Sequence, residues 1–254
     1  MKLGVYQCPA SGGTQDERLT ELERHIAGQG LDLLLCPELF STGYDQGADY
    51  GDVAEAPDGP FAQGIAALAR KHDTAIAYGY AERARDTIYN SAALIDASGR
   101  LLANHRKRLP SPYSFEERAF GRGGAVTFAD LGDLRLAMII CYEVEFPENL
   151  RHAAQGGAHV VLVPTALGAE WGIVAEKLVP TRAFENGVWI AYADHAGDCG
   201  GLSFYGGSRI VAPDGQDAAV AVPGKAGLIA APFDPARVAA ARSRLPYLRD
   251  CVKL

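Results

Sequence analysis

Short apolar runs closed by turn residues recur along this chain too often for one ordinary sheet to hold them. Lys2–Cys8 alternates loosely and reads as a strand, as do Leu31–Cys36, Thr74–Tyr80, His159–Val163, Val188–His195, Gly206–Val211, Ala218–Val222 and Gly227–Phe233. Two hairpins are signalled by turn residues: Ile88–Asp96 with Leu101–Lys107 across Asp96-Ala-Ser-Gly99, and Val126–Phe128 with Leu134–Ile140 across Asp130-Leu-Gly-Asp133. Pro213-Asp-Gly215 marks a further turn. Helical spacing fills the gaps. A capping box at Thr14 and Glu17 opens a helix carrying Leu19, Leu22 and Ile26, which ends near Gly28-Gln-Gly30. Phe61–Lys71 and Phe146–Gln155 follow, the latter with Pro147 in its first turn, and Ala169–Asn186 reads as one long helix stopped by Gly187. Roughly a dozen strands exceed a comfortable open sheet. The expected fold is therefore α/β, with two mixed sheets packed face to face and covered by helices.

A chain of 254 residues can bury a large core without disulfides or a structural metal. No Pro/Ser/Gly-rich linker divides it, so one domain over residues 1–254 is expected. Lys and Arg number 24 against 31 Asp and Glu, a net charge of −7, and the longest basic run is His105-Arg106-Lys107-Arg108. That balance argues against a dedicated nucleic-acid binder. The apolar stretches Leu136–Cys141 and Val160–Val163 are far too short to cross a bilayer, and the first residues lack the apolar core of a signal peptide. The expectation is a soluble cytoplasmic protein. Cys8, Cys36, Cys141, Cys199 and Cys251 are odd in number and widely spaced, which supports neither a disulfide framework nor a zinc site.

Three segments place a reactive group just after an apolar strand, where ligands gather in α/β folds. Glu38 follows a strand that is nearly all leucine, so burial would raise its pKa and suit it to proton transfer; a strand-end carboxylate in water is the plainer alternative. Lys107 ends Leu101–Lys107, where an ammonium can stabilise an oxyanion or merely decorate a basic sheet edge. Cys141 ends an apolar strand just before a helix, a place that activates a thiol, although a buried structural cysteine fits equally well. Of the six histidines only His195 is placed to serve Cys141 as a base, which leaves a Cys141–His195 pair open.

Taken in order, "CPELFSTGY" around Glu38, "HRKRLP" around Lys107 and "IICYEVEFPE" around Cys141 resemble the nitrilase superfamily of carbon–nitrogen hydrolases. "RAFENGVW" at Arg182–Trp189 and "GGSRIVAPDG" at Gly206–Gly215 extend the resemblance from Val5 to Pro232. It implies a four-layer α-β-β-α sandwich that pairs into a homodimer or higher homo-oligomer. It further implies a catalytic Glu38, Lys107 and Cys141, and no metal or organic cofactor. A second glutamate precedes "F-x-P-G" in the family. Here the text is "SFEERAFGRGG", with Arg122 in place of proline, and counting back from Gly123 selects Glu116 over its neighbour Glu117. "CYE" and the flanking text are similar to short-chain aliphatic amidases, especially the 5-aminopentanamidase type. "LPSPYSF" at 109–115 and Asp194-His195 depart from that pattern.

The implied reaction is hydrolysis of a small carboxylic amide through a cysteine thioester. Glu38 acts as base, Lys107 and the Tyr142 N–H as oxyanion donors, and Glu116 as a positioning group. Candidate pocket residues are Tyr44, Tyr113, Phe115, Tyr142, Glu143, Thr165, Ala166 and Trp171. Glu143, Asp194 and Glu145 would favour an amine-bearing substrate unless they face solvent or pair with arginines, the plainer expectation for Glu145. Three other readings remain: a nitrilase, an N-carbamoyl amino-acid hydrolase, for which no arginine is clearly placed as a carboxylate anchor, and a non-catalytic scaffold.

Overall fold

The structure is a computed structural model that describes residues 1–11, 13–45 and 49–253. In chain order the strands are β1 (Lys2–Pro9), β2 (Leu33–Leu35), β3 (Ala75–Ala84), β4 (Thr87–Ile95), β5 (Leu101–Arg106), β6 (Thr127–Leu131), β7 (Leu134–Met138), β8 (Val160–Pro164), β9 (Trp189–Ala193), β10 (His195–Cys199), β11 (Leu202–Tyr205), β12 (Arg209–Val211), β13 (Asp217–Val220) and β14 (Gly227–Pro232). The helices are α1 (Gln15–Ile26), α2 (Tyr50–Val53), α3 (Pro60–His72), α4 (Glu116–Ala119), α5 (Pro147–Gln155), α6 (Val179–Asn186), α7 (Ala236–Arg244) and α8 (Tyr247–Asp250).

One sheet runs β11-β10-β1-β2-β3-β4-β5, with β14 also on β1; the other runs β13-β12-β9-β8-β7-β6. Parallel pairs occupy the middle of each sheet and hairpins the edges, for example β2 with β3 and β8 with β9, against β4 with β5 and β6 with β7. Their inner faces share one apolar core, in which Leu3, Val5, Leu33 and Leu35 meet Leu136, Met138, Val160, Leu162 and Trp189. Leu22 and Ile26 of α1 and Phe61 and Ile65 of α3 cover the first sheet from outside. Leu150 and Ala153 of α5 and Val179 and Ala183 of α6 cover the second. The expected helix–sheet–sheet–helix layering is present. Central strands buried on both faces need apolar side chains on both, which is why β2, β8 and β9 lack a polar alternation.

Three expectations fail. The supposed long helix Ala169–Asn186 begins as a 3₁₀ turn at Ala169–Trp171 and contains a π-helical turn at Val174–Leu178 ahead of α6. Pro180 lies just beyond that turn. A proline inside an α-helix lacks its hydrogen bond and clashes with the carbonyl one turn back, at a cost of about 3 kcal/mol. The widened turn fits both needs. Val188–His195 is not one strand either. β9 ends at Ala193 in one sheet and β10 starts at His195 in the other, so Asp194 is where the chain crosses between sheets. Its buried carboxylate stitches the crossing by accepting the N–H groups of Leu167, His195 and Gly206 at 2.8–2.9 Å. Finally, β12 begins only at Arg209. The β10–β11 hairpin and the short helices α2, α4, α7 and α8 carry too little periodicity to announce themselves.

Candidate active site

Glu38 lies three residues past β2, in a turn wedged against β3. The reason is Gly79: a Cβ there would stand 2.4 Å from Leu39 N, 2.6 Å from Pro37 O and 2.7 Å from Glu38 Cα. Only a glycine lets the turn approach so closely. Gly79→Ala is therefore expected to push Glu38 away and lower kcat by about 10²-fold, the usual cost of a displacement near 1 Å. Steady-state kinetics beside a thermal melt would check this, and unchanged kcat would contradict it.

The Glu38 carboxylate is fully buried. Its Oε1 accepts from Lys107 Nζ at 2.7 Å and from Asn90 Nδ2 at 2.6 Å, while Oε2 has no hydrogen-bond partner. Lys107 follows β5 and is itself buried. Its Nζ also reaches Glu116, at 2.8 Å to Oε1 and 2.7 Å to Oε2. Glu116 opens α4 with its side chain inside; the neighbouring Glu117 is exposed, so the geometry separates the two glutamates that the sequence left adjacent. Tyr44 completes the cluster by donating to Glu116 Oε1 at 2.5 Å. Two carboxylates thus share one ammonium.

Cys141 starts a 3₁₀ turn, Cys141–Glu145, directly after β7 and Ile139-Ile140. Its φ of 48° lies in the left-handed region, which a non-glycine residue enters at a cost of about 1–3 kcal/mol. That turn is held by Glu143, which accepts Ile140 N–H at 2.8 Å, His105 Nε2 at 2.8 Å and Arg108 Nε at 2.9 Å. Cys141 lies at the wall of a cavity of about 580 Å³.

Charge and burial oppose each other here. Burial pushes the Glu38 pKa above its ordinary value, Lys107 pulls it down, and Glu116 adds to the rise. For Lys107 burial favours the neutral amine, but Glu116 and Glu38 outweigh it and the pKa is raised. Burial and then Glu38 raise the Cys141 thiol, with Lys107 opposing.

Of the expected pocket residues, Tyr44, Tyr113, Phe115, Tyr142, Ala166 and Trp171 line the cavity. Tyr113 and Trp171 are its exposed rim. Glu143 and Thr165 do not line it. Glu143 is spent on holding the Cys141 turn: burial would raise its pKa, but His105 and the Ile140 N–H bring it below the ordinary value. Thr165 is buried, and its carbonyl accepts the Glu38 N–H at 3.3 Å. The expectation for the other acids is reversed. Asp194 is occupied by backbone, with burial pushing its pKa up to about 7. Glu145 lines the cavity, half-buried, and among the described residues none is hydrogen-bonded to its carboxylate.

The Cys141–His195 pair does not form. His195 Nδ1 lies 3.2 Å from Cys8 Sγ, and its Nε2 lies 2.7 Å from the Glu38 carbonyl. A carbonyl only accepts, so Nε2 carries the proton and Nδ1 accepts from the Cys8 thiol. Burial lowers its pKa to about 4, which leaves it neutral. Asn90 escaped the sequence reading; its signal was an amide inside the apolar run of β4. Leu202 and Phe204 reach the cavity from the unforeseen hairpin, and Arg118 and Glu170 also line it.

The carbon-nitrogen hydrolase family model matches residues 2–243. This chain belongs to the carbon–nitrogen hydrolase family. It is 39% identical to the "Hydrolase in pqqF 5'region" of Pseudomonas protegens, over 98% of this chain and 88% of that one. It is 32% identical to an (R)-stereoselective amidase of a Pseudomonas species, over 85% and 79%. A solved amidase of Nesterenkonia sp. AN1 superposes with a TM-score of 0.86 at 32% identity, covering 98% and 93% of the two chains; that protein, a glutamate-to-glutamine mutant, carries the acetamide moiety of fluoroacetamide covalently at its active site cysteine. This carbon–nitrogen hydrolase is thus an enzyme acting on carbon–nitrogen bonds other than peptide bonds. Among the described residues no helix is long and apolar enough to cross a membrane.

Proposed function

We propose that this hydrolase converts a small carboxylic amide to its acid and ammonia, with Cys141 as nucleophile and Glu38, Lys107 and Glu116 as its acid–base and electrostatic partners. The observation that carries the reading is the buried Glu38–Lys107–Glu116 cluster with one Glu38 oxygen unclaimed, in the same site as a thiol that faces a cavity. Glu38 takes the thiol proton as the substrate arrives, and the sulfur attacks the amide carbon. Lys107 and the Tyr142 N–H stabilise the oxyanion. Glu38 returns the proton to the departing ammonia, then activates the water that cleaves the thioester. Glu116 holds Lys107 in place. Ammonia release across ω-amino amides, simple aliphatic amides, an amino-acid amide, a nitrile and a carbamoyl amino acid tests this, with Cys141→Ala as blank. Turnover confined to the nitrile would overturn it.

Within that class, Glu145 supports an amide bearing a distal amine. Burial raises its pKa, against the pull of Lys107 and Arg182, and among the described residues its carboxylate has no hydrogen-bond partner of the kind a structural carboxylate would have. Glu145→Gln is expected to cut kcat/KM for an ω-amino amide about tenfold, or 1.4 kcal/mol, and to change that for a simple aliphatic amide little. Equal losses on both would remove Glu145 from substrate selection. Arg118, which lines the same cavity, supports a second reading, a substrate with a carboxylate, which the carbamoyl amino acid in the panel addresses.

A further inference from the structure

A second cavity of about 390 Å³ opens beside α1 and shares no residue with the catalytic one. Tyr6, Cys8 and Phe40 form its apolar wall, and Arg18 lines it beside them. Arg18 is only 7% exposed. Its Nε has no hydrogen-bond partner, and no carboxylate forms a salt bridge with it among the described residues. The Tyr6 hydroxyl, also buried in this wall, has no hydrogen-bond partner among the described residues either. A buried guanidinium without an anion is costly, and natural structures rarely leave one so.

The two acids that line this cavity are already committed. Glu21 pairs with Arg24 at 2.5 Å and with His25 at 3.1 Å. Glu17 accepts the Thr14 N–H at 2.7 Å within the capping box of α1. They therefore leave Arg18 uncompensated, yet their charge at the rim repels a multiply charged ion. An occupant must carry one negative charge for Arg18, an acceptor for the Tyr6 hydroxyl, and an apolar part to cover Phe40 and the Tyr6 ring. The volume suits a small molecule.

The geometry points to a second ligand site in this enzyme, which binds a small monocarboxylate through Arg18 and Tyr6, away from the catalytic cavity.

Calorimetric titration of butyrate into the full-length Cys141→Ala protein, with saturating butyramide present to fill the catalytic cavity, tests it. Saturable binding is expected, weakened about tenfold or more by Arg18→Gln through loss of a charge-assisted hydrogen bond, and about threefold to fivefold by Tyr6→Phe. Inorganic phosphate is expected to bind more weakly than butyrate. Tyr6→Phe removes a single oxygen and keeps the test valid should Arg18→Gln fold poorly. The site is overturned if butyrate does not bind under these conditions, if Tyr6→Phe binds it as tightly as the parent, or if phosphate binds better.

Discussion

Glu38→Gln is expected to slow ammonia release from the preferred amide by about 10²–10⁴-fold, the usual range for loss of a general base. The glutamine is isosteric and can still meet Asn90 and Lys107, so the protein should remain folded. What it loses is the acceptor for the thiol proton. The same change should slow alkylation of Cys141 by iodoacetamide, because burial keeps that thiol protonated until a base removes the proton. In the parent protein the base must be ionised to act. Its pKa is raised above the ordinary glutamate value of 4.5, so activity should rise with pH through a limb displaced upward from that value. Alkylation and turnover that proceed at the parent rate in Glu38→Gln would assign the base elsewhere.

Lys107→Met carries the second large effect, and it should appear in two measurements. Loss of an oxyanion donor costs about 10²–10³-fold in kcat. Loss of the cation also leaves Glu38 and Glu116 buried together with nothing between them. Breaking a buried pair of this kind destabilises by about 3–5 kcal/mol, unless a carboxylate takes up a proton. The sign for Glu38 follows directly: Lys107 lowers its pKa and Glu116 raises it, so removing Lys107 raises it further. Any residual alkylation of Cys141 should then have its acid limb at higher pH than the parent. A fully stable Lys107→Met protein with an unmoved limb would mean that the ammonium does not hold the two carboxylates together. Thermal melts at two pH values, with alkylation profiles, separate these outcomes.

The sandwich could be read from the chain because its cause is local. Leu33-Leu-Leu35 and Val160–Val163 have no polar face, which only a strand buried on both sides tolerates, and strands in this number need two sheets. Thr14 and Glu17 named their helix start because a capping box is complete within four residues. Cys141, Lys107 and Glu38 stood out for the same reason, each ending an apolar run. The ends of the Ala169–Asn186 helix were legible, but the π-turn before Pro180 was not, since a break of one residue hardly changes the spacing of apolar side chains.

Partnership was decided only in three dimensions. Glu143 and Glu145 stand two residues apart after Cys141, and the sequence favours the first for the pocket and the second for solvent. One turn of 3₁₀ helix sends the first under the turn to His105 and Arg108 and the second to the cavity wall. His195 is the one histidine that the sequence leaves open as a partner of Cys141, yet the crossing at Asp194 carries it into the other sheet beside Cys8. Glu116 and Glu117 differ by one residue on a four-residue helix, and only packing places one against Lys107 and the other in solvent. The sequence determined which residue types end which strands, because hydrophobic patterning and capping act over a few neighbours. Which of them share a proton or face a ligand depends on contacts between residues as far apart as Glu38 and Lys107, and those exist only once the two sheets have packed.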